Sequence, residues 1–321
     1  MILTILQEDG PTPIKIDASG VIRALTFTVD GKYLVVGHDK EVGAWRVEDR
    51  KRVARMAMPN YVNSVAASKS GKWIVAGTSK ELFVLDAQTY QLFFKHEEGN
   101  LVNAVHFSPD STRLIAGTDN KTAIVWDFAT GKQVLTLHHE NAVNAAKYVP
   151  QGDRIATATR NLVQVWDSSN GRLLVKINVR AIPYYNTGLL WSNDHLFVVS
   201  DGKINQFDAY TGSKVSEWPV ADTNGYSCIA LPKHGELITY STKRAITFWD
   251  TSTHNKLDLI QHHQDIRSIA HSPDDRFLAF GGADKKITIR SLPDITVSAE
   301  ARRVYGVSDQ RSLLSRTLVA P

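Results

Sequence analysis

The sequence predicts an all-β protein made of seven copies of one unit, and three observations carry that expectation. First, an anchor residue recurs at Trp45, Leu85, Trp126, Trp166, Phe207, Trp249 and Arg290, with gaps of 40, 41, 40, 41, 42 and 41 residues. A fixed period of this length marks stacked supersecondary units. Second, each period holds four short stretches with strand-like apolar patterns. Third, helical spacing of apolar residues is almost absent, so the units are sheets arranged radially.

Each period follows the same order. A first strand such as Val62-Asn-Ser-Val-Ala-Ala or Val102-Asn-Ala-Val-His-Phe alternates apolar and polar residues, as a half-buried strand does. A turn follows at Asp30-Gly31, Ser70-Gly71, Pro109-Asp110, Gln151-Gly152 or Pro273-Asp274; Gly, Pro and Asp supply the dihedrals that reverse the chain into a hairpin. The second strand is a short apolar run, as in Tyr33-Leu-Val-Val and Trp73-Ile-Val-Ala. The third ends at the anchor, which an acid follows in five of the seven periods. A fourth, more polar strand closes the unit, as in Gln133-Val-Leu-Thr-Leu and Arg172-Leu-Leu-Val-Lys.

Composition fits this reading. The 321 residues are 43% apolar and 22% charged, enough to build a sizeable core. The apolar start Met1–Gln7 meets Glu8 and Asp9 at once and has no basic leader, so no signal peptide is expected. No apolar stretch approaches a bilayer's thickness, so no membrane association is expected. Cys228 is the single cysteine and lies in an alternating strand pattern. That rules out internal disulfides and a cysteine-based zinc site, and it is consistent with a reducing, cytoplasmic setting. The formal net charge of +4 is too small to argue for nucleic acid.

The grammar resembles the WD40 repeat family across residues 13 to 300. The resemblance rests on the Trp-Asp pairs 126–127, 166–167 and 249–250 and on the degenerate pairs Leu85-Asp86 and Phe207-Asp208. The turns Thr130-Gly131-Lys132 and Asn170-Gly171-Arg172 add to it, as do Phe107-Ser-Pro-Asp and His271-Ser-Pro-Asp. It implies a seven-bladed β-propeller of four-stranded antiparallel blades, a single domain over residues 1–301. A closed ring needs a latch, because an open sheet edge invites aggregation. Residues 13–18 overlay the outer strand beginning at Val134, so they are expected to be the outer strand of the last blade; Ile295–Ala299 is the rival. The tail, residues 302–321, follows no repeat.

The family stiffens its blades with a buried network of His, Ser/Thr, Asp and Trp. Here His139 and His262 fill the histidine position, and the Asp position holds Asp39, Ser79, Asn120, Arg160, Asp201, Lys243 and Asp284. No blade carries all the members, so apolar packing and strand ladders are expected to hold the ring.

The family's geometry places a rim of residues around one mouth of the central channel. In this sequence the rim is expected to carry Arg23, Tyr61, Asn63, Asn103, Asn144, Tyr185, Tyr226, Asp265 and Arg267, with His38 and Asp119 beside them. Tyr, Asn and Arg suit a protein-binding surface, and an Arg23/Arg267 pair on neighbouring blades suits a carboxylate or phosphate. The turns between second and third strands add Lys40, Lys80, Lys121, Arg160, Lys203, Lys243, Arg244, Lys285 and Lys286. The expected partner is therefore a protein or peptide, with an acidic segment suited to the basic ring.

Two other readings remain. A pocket of His38, Asp119 and the rim tyrosines and arginines would suit an enzyme doing proton transfer on a small carboxylate, or a protein that binds one. The basic ring with stacking tyrosines could bind single-stranded nucleic acid, a reading that the modest charge argues against. No cofactor is expected, as there is no Gly-rich phosphate loop. No metal site is expected either: His138-His139 and His262-His263 have no third ligand nearby in sequence. The oligomeric state is not specified.

Overall fold

The computed structural model describes residues 13–179, 188–192, 194–220, 228–232, 235 and 237–292. Seven four-stranded antiparallel sheets form a ring of blades, and no helix occurs among the described residues. Blade one is typical. Its strands Ile22–Phe27, Tyr33–His38, Glu41–Arg46 and Arg52–Ala57 run in sequence order from the channel outward. The inner strands of successive blades pack side by side around the channel, and blade seven meets blade one. There, the Leu25 backbone N–H donates to Ser268 Oγ at 3.0 Å.

Seven apolar clusters fill the ring, one at each blade junction. The anchor positions explain why the period tolerates Leu85 and Phe207 in place of Trp. Both are buried, and the site needs a large apolar body in the gap between two sheets. The acid after each anchor works differently. Asp127 Oδ1 accepts the Thr130 backbone N–H and hydroxyl at 2.9 and 2.8 Å, and Asp86 with Thr89 and Asp208 with Thr211 repeat the device. These bonds lock the exposed turn to the outer strand and hold the three carboxyls below the usual carboxylate range.

Glycine matters where blades approach closely. A Cβ on Gly77 would lie 2.6 Å from Val102 Cγ1 of the next inner strand. That contact lets a β-branched side chain seat directly against the neighbouring sheet.

The chain closes the ring through Ile14–Asp17, which pairs antiparallel with Lys286–Ser291 as the outer strand of blade seven. Ile14 and Ile16 pack into the cluster shared by blades seven and one. The rival segment at 295–299 and the tail from 302 lie outside the described residues.

The buried polar network survives in part. In blade four, His139, Thr157 and Trp166 form a continuous chain of hydrogen bonds, although Arg160 occupies the Asp position. In blade one, Glu41 takes over as the hub. It meets Arg52, Arg55 and His38, while the Arg52 guanidinium lies 5.0 Å from the Trp45 ring centroid.

Candidate functional site: the channel-mouth rim

The rim is built by an irregularity that recurs at the start of the inner strand in four of the seven blades. In blades one, two, three and seven the ladder skips the second residue, so that Ile22 pairs with His38 and Ala24 with Gly37. The skipped residues are Arg23, Asn63, Asn103 and Arg267. A bulge leaves its extra residue outside the ladder and re-aims the side chain. Each is a polar residue directly after the apolar residue that opens its strand.

Arg23 and Tyr61, from neighbouring blades, form the best-defined contact on the rim. The guanidinium carbon lies 4.9 Å from the ring centroid, and Tyr61 is 47% exposed. A cation over an aromatic face is held by the ring quadrupole. The Nε of Arg23 is buried yet makes no hydrogen bond among the described residues, and the same holds for Nδ2 of Asn63 beside Tyr61. Arg23, against the exposed Tyr61 ring, and Asn63 thus sit on the inner strands of neighbouring blades. Leaving such a donor unpaired costs about 1–3 kcal/mol.

Other expected rim residues have structural work. Asn103 is 1% exposed, and its Nδ2 donates to Asp119 Oδ1 at 2.7 Å and to the Val143 carbonyl at 3.2 Å. It ties the exposed Asp119 turn of blade three to blade four. Asn144 is buried, with its backbone N–H on the Ala158 carbonyl at 2.8 Å. His38, paired with Ile22 at the same end of blade one, is 1% exposed and lies 3.2 Å from Glu41 Oε1. The Glu41 hub draws it inward, while burial and Arg52 push its pKa below the ordinary histidine value.

Asp265 and Arg267 are half-buried on blade seven. The Asp265 carbonyl accepts the Ala283 N–H at 2.9 Å, and the Arg267 carbonyl accepts the Cys228 thiol at 3.1 Å. Arg23 turns toward Tyr61 of blade two, so its aromatic partner is on the side away from Arg267. Tyr185 and Tyr226 lie outside the described residues. Around the rim, Lys40, Lys80, Lys121, Arg160, Lys243, Arg244 and Lys285 are exposed and have no ion-pair partner among the described residues. Lys203 and Lys286, by contrast, meet Glu217 and Asp17.

The channel wall below the rim is polar at two equivalent positions that the sequence reading overlooked. His106 of blade three and Lys147 of blade four sit opposite Ile115 and Ala156 in their ladders. His106 Nδ1 accepts the Tyr148 N–H at 3.2 Å. Burial pushes the His106 pKa down to about 3 and that of Lys147 down to about 8. The visible signal was a polar residue at a position that is Ala66, Ala230 or Ala270 in other blades.

His262 and His263, which lack a third ligand nearby in sequence, come together in space with Asp284. The turn after the second strand of blade seven carries Asp284 back to the loop before its inner strand, a proximity that sequence distance hides.

Comparison with known proteins agrees with this architecture. The family model described as "WD domain, G-beta repeat" matches residues 88–127, 131–167 and 255–291. Actin-interacting protein 1 from Drosophila melanogaster is 27% identical over 157 residues, 46% of this chain and 26% of that protein. Serine-threonine kinase receptor-associated protein from Gallus gallus is 23% identical over 172 residues, 52% of this chain and 47% of that protein. The chain therefore matches only about a quarter and about half of the length of these relatives.

Proposed function

We propose that this chain, a WD40-repeat propeller, is a protein-interaction module that takes an acidic peptide or partner domain at the channel mouth, centred on Arg23, Tyr61 and Asn63. The single observation that carries the proposal is the Arg23 guanidinium stacked against the exposed Tyr61 ring on the neighbouring blade. A partner carboxylate would be drawn to the Arg23 guanidinium, while Tyr61 contributes apolar area at the centre of the contact. The surrounding exposed cations would steer an acidic segment to that point.

The names of the two relatives describe one as interacting with actin and the other as associated with a receptor kinase. Both point to the class of function proposed here rather than to the same partners. The alternative reading, an enzyme or small-carboxylate binder at the channel mouth, would use Asp119 or His38 with the rim tyrosines and arginines; His38 meets Glu41 and Asp119 meets Asn103. A cytoplasmic setting is part of the proposal, consistent with one buried free thiol at Cys228.

The test is affinity purification from cell extract with wild type and an Arg23→Glu variant, compared by mass spectrometry. Loss of a specific set of partners from a folded Arg23→Glu protein is expected. Unchanged recovery would place binding on another surface.

A further inference from the structure

We propose that the outer strand of blade two, Leu92–Glu97, is a self-association surface that pairs edge to edge with the same strand of a second copy of this chain. The strand is the last of its sheet, so one of its edges has no neighbour among the described residues. All outer strands share that property, and two features set this one apart. Five of its six residues are exposed, with Leu92 and Phe93 at 53% and 55%. No other outer strand among the described residues exposes two large apolar side chains. Phe93 is also held in place. Its ring centroid is 4.3 Å from that of Trp73, which lies 5.7 Å from Phe128 of blade three. An apolar anchor positioned before contact loses little side-chain freedom on binding.

Backbone direction and charge together select a second copy as the occupant. The Glu98 N–H donates to the Lys80 carbonyl at 2.8 Å, and Glu97 faces Glu81 in the ladder. Backbone groups alternate in direction along an antiparallel strand, so those of Lys95 and Glu97 point away from the sheet. An added antiparallel strand exchanges hydrogen bonds at these residues. When Lys95 of each copy stands opposite Glu97 of the other, the two-fold axis passes through His96 and both cross-strand pairs are oppositely charged. The adjacent registers set lysine against lysine or glutamate against glutamate, and like charges directly opposite are destabilising. The favoured register also places Phe93 opposite Gly99 of the other copy. A Cβ on Gly99 would meet nothing within 4 Å, so the ring has room there. Within one chain, Lys95 reaches Glu81 at 3.3 Å and Glu97 at 3.8 Å. Lys95 and Glu97 are exposed, and exposed ion pairs rearrange at little cost.

The same strand serves both copies, so the contact is isologous and closes at a dimer. It lies on the outside of the ring and leaves the channel mouth open to other partners.

The test is sedimentation velocity of the full chain at about 10–500 µM, the range of a small interface. A monomer–dimer equilibrium is expected for wild type. Lys95→Glu and Glu97→Lys each turn both cross-strand pairs into like charges, and each should weaken association about 10-fold or more. An equimolar mixture of the two variants restores opposite charges at both pairs and should recover the dimer. A wild type that stays monomeric across the range would overturn the proposal and leave the strand to a different partner. A dimer that persists in both single variants, or a mixture that fails to re-form it, would overturn it as well.

Discussion

His139 Nε2 and Thr157 Oγ1 lie 2.8 Å apart across the junction between blades three and four. The other ring nitrogen, Nδ1, is 3.0 Å from the Leu137 carbonyl and so carries the proton. Nε2 therefore accepts from the Thr157 hydroxyl, whose oxygen in turn accepts the Trp166 indole N–H at 2.8 Å. Every member of this chain is satisfied, with a neutral histidine. Replacing Thr157 with Val should leave the indole N–H and Nε2 buried without partners, at a cost of about 3 kcal/mol. Thr157→Ser should cost under about 1 kcal/mol. Urea unfolding of both variants measures the difference.

The same histidines set a pH dependence. Burial pushes the pKa of His139 and His271 down to about 4 and that of His106 to about 3. Between pH 6.5 and 4 the unfolded chain binds their protons and the folded chain does not. Stability therefore falls as pH falls through that window, by about 1.4 kcal/mol per pH unit for each histidine. Glu98 acts oppositely, since burial raises its pKa to about 7 and the folded state takes up that proton first. Near pH 5.5 the net slope should be about 3 kcal/mol per unit. A His106→Asn variant should show a shallower slope in urea midpoints measured from pH 7 to 5.

Lys147 predicts an alkaline effect. Its folded pKa of about 8 is depressed by burial in the channel wall. Between pH 8 and the ordinary lysine value the unfolded chain holds the proton and the native chain has lost it. Stability should rise with pH across that interval, and Lys147→Met should remove the rise. The same substitution should stabilise the protein at pH 7 by on the order of 2 kcal/mol, allowing for screening by channel water. Thermal melts at pH 7 and pH 10 check both expectations.

The latch carries a further prediction. Ile16 packs with Ile287 and Ile289 in the cluster that joins blades seven and one. Ile16→Asp should cost about 3 kcal/mol or more by placing a charge there. It should also expose the edge of the strand Lys286–Ser291 and promote association. Light scattering during a thermal ramp, compared with wild type, reads both effects.

At the Glu41 hub, Glu41→Ala should leave Arg52, Arg55 and His38 without their shared partner. The side chain of Glu41 is nearly buried while Arg55 is largely exposed, so most of the loss should come from Arg52 and His38. A destabilisation of about 2–4 kcal/mol is expected, with Arg55→Ala costing under about 1 kcal/mol.

By itself the sequence determined the repeat, its seven copies, the four-stranded unit and the anchors, because apolar periodicity and turn residues act within 40 or so neighbouring positions. It also placed polar residues at Arg23, Asn63, Asn103 and Arg267, each directly after the apolar residue that opens its strand. The tertiary structure decided which of these remain available. Asn103 is consumed by Asp119 and Val143, His38 is drawn to Glu41, and Arg23 lies over Tyr61. Those outcomes depend on which side chains adjacent blades bring together, a contact between residues tens of positions apart that no local pattern encodes. The meeting of His262 with Asp284, and of Ile14–Asp17 with the far end of the chain, has the same origin. Ring closure sets those neighbours, and only the folded ring reveals them.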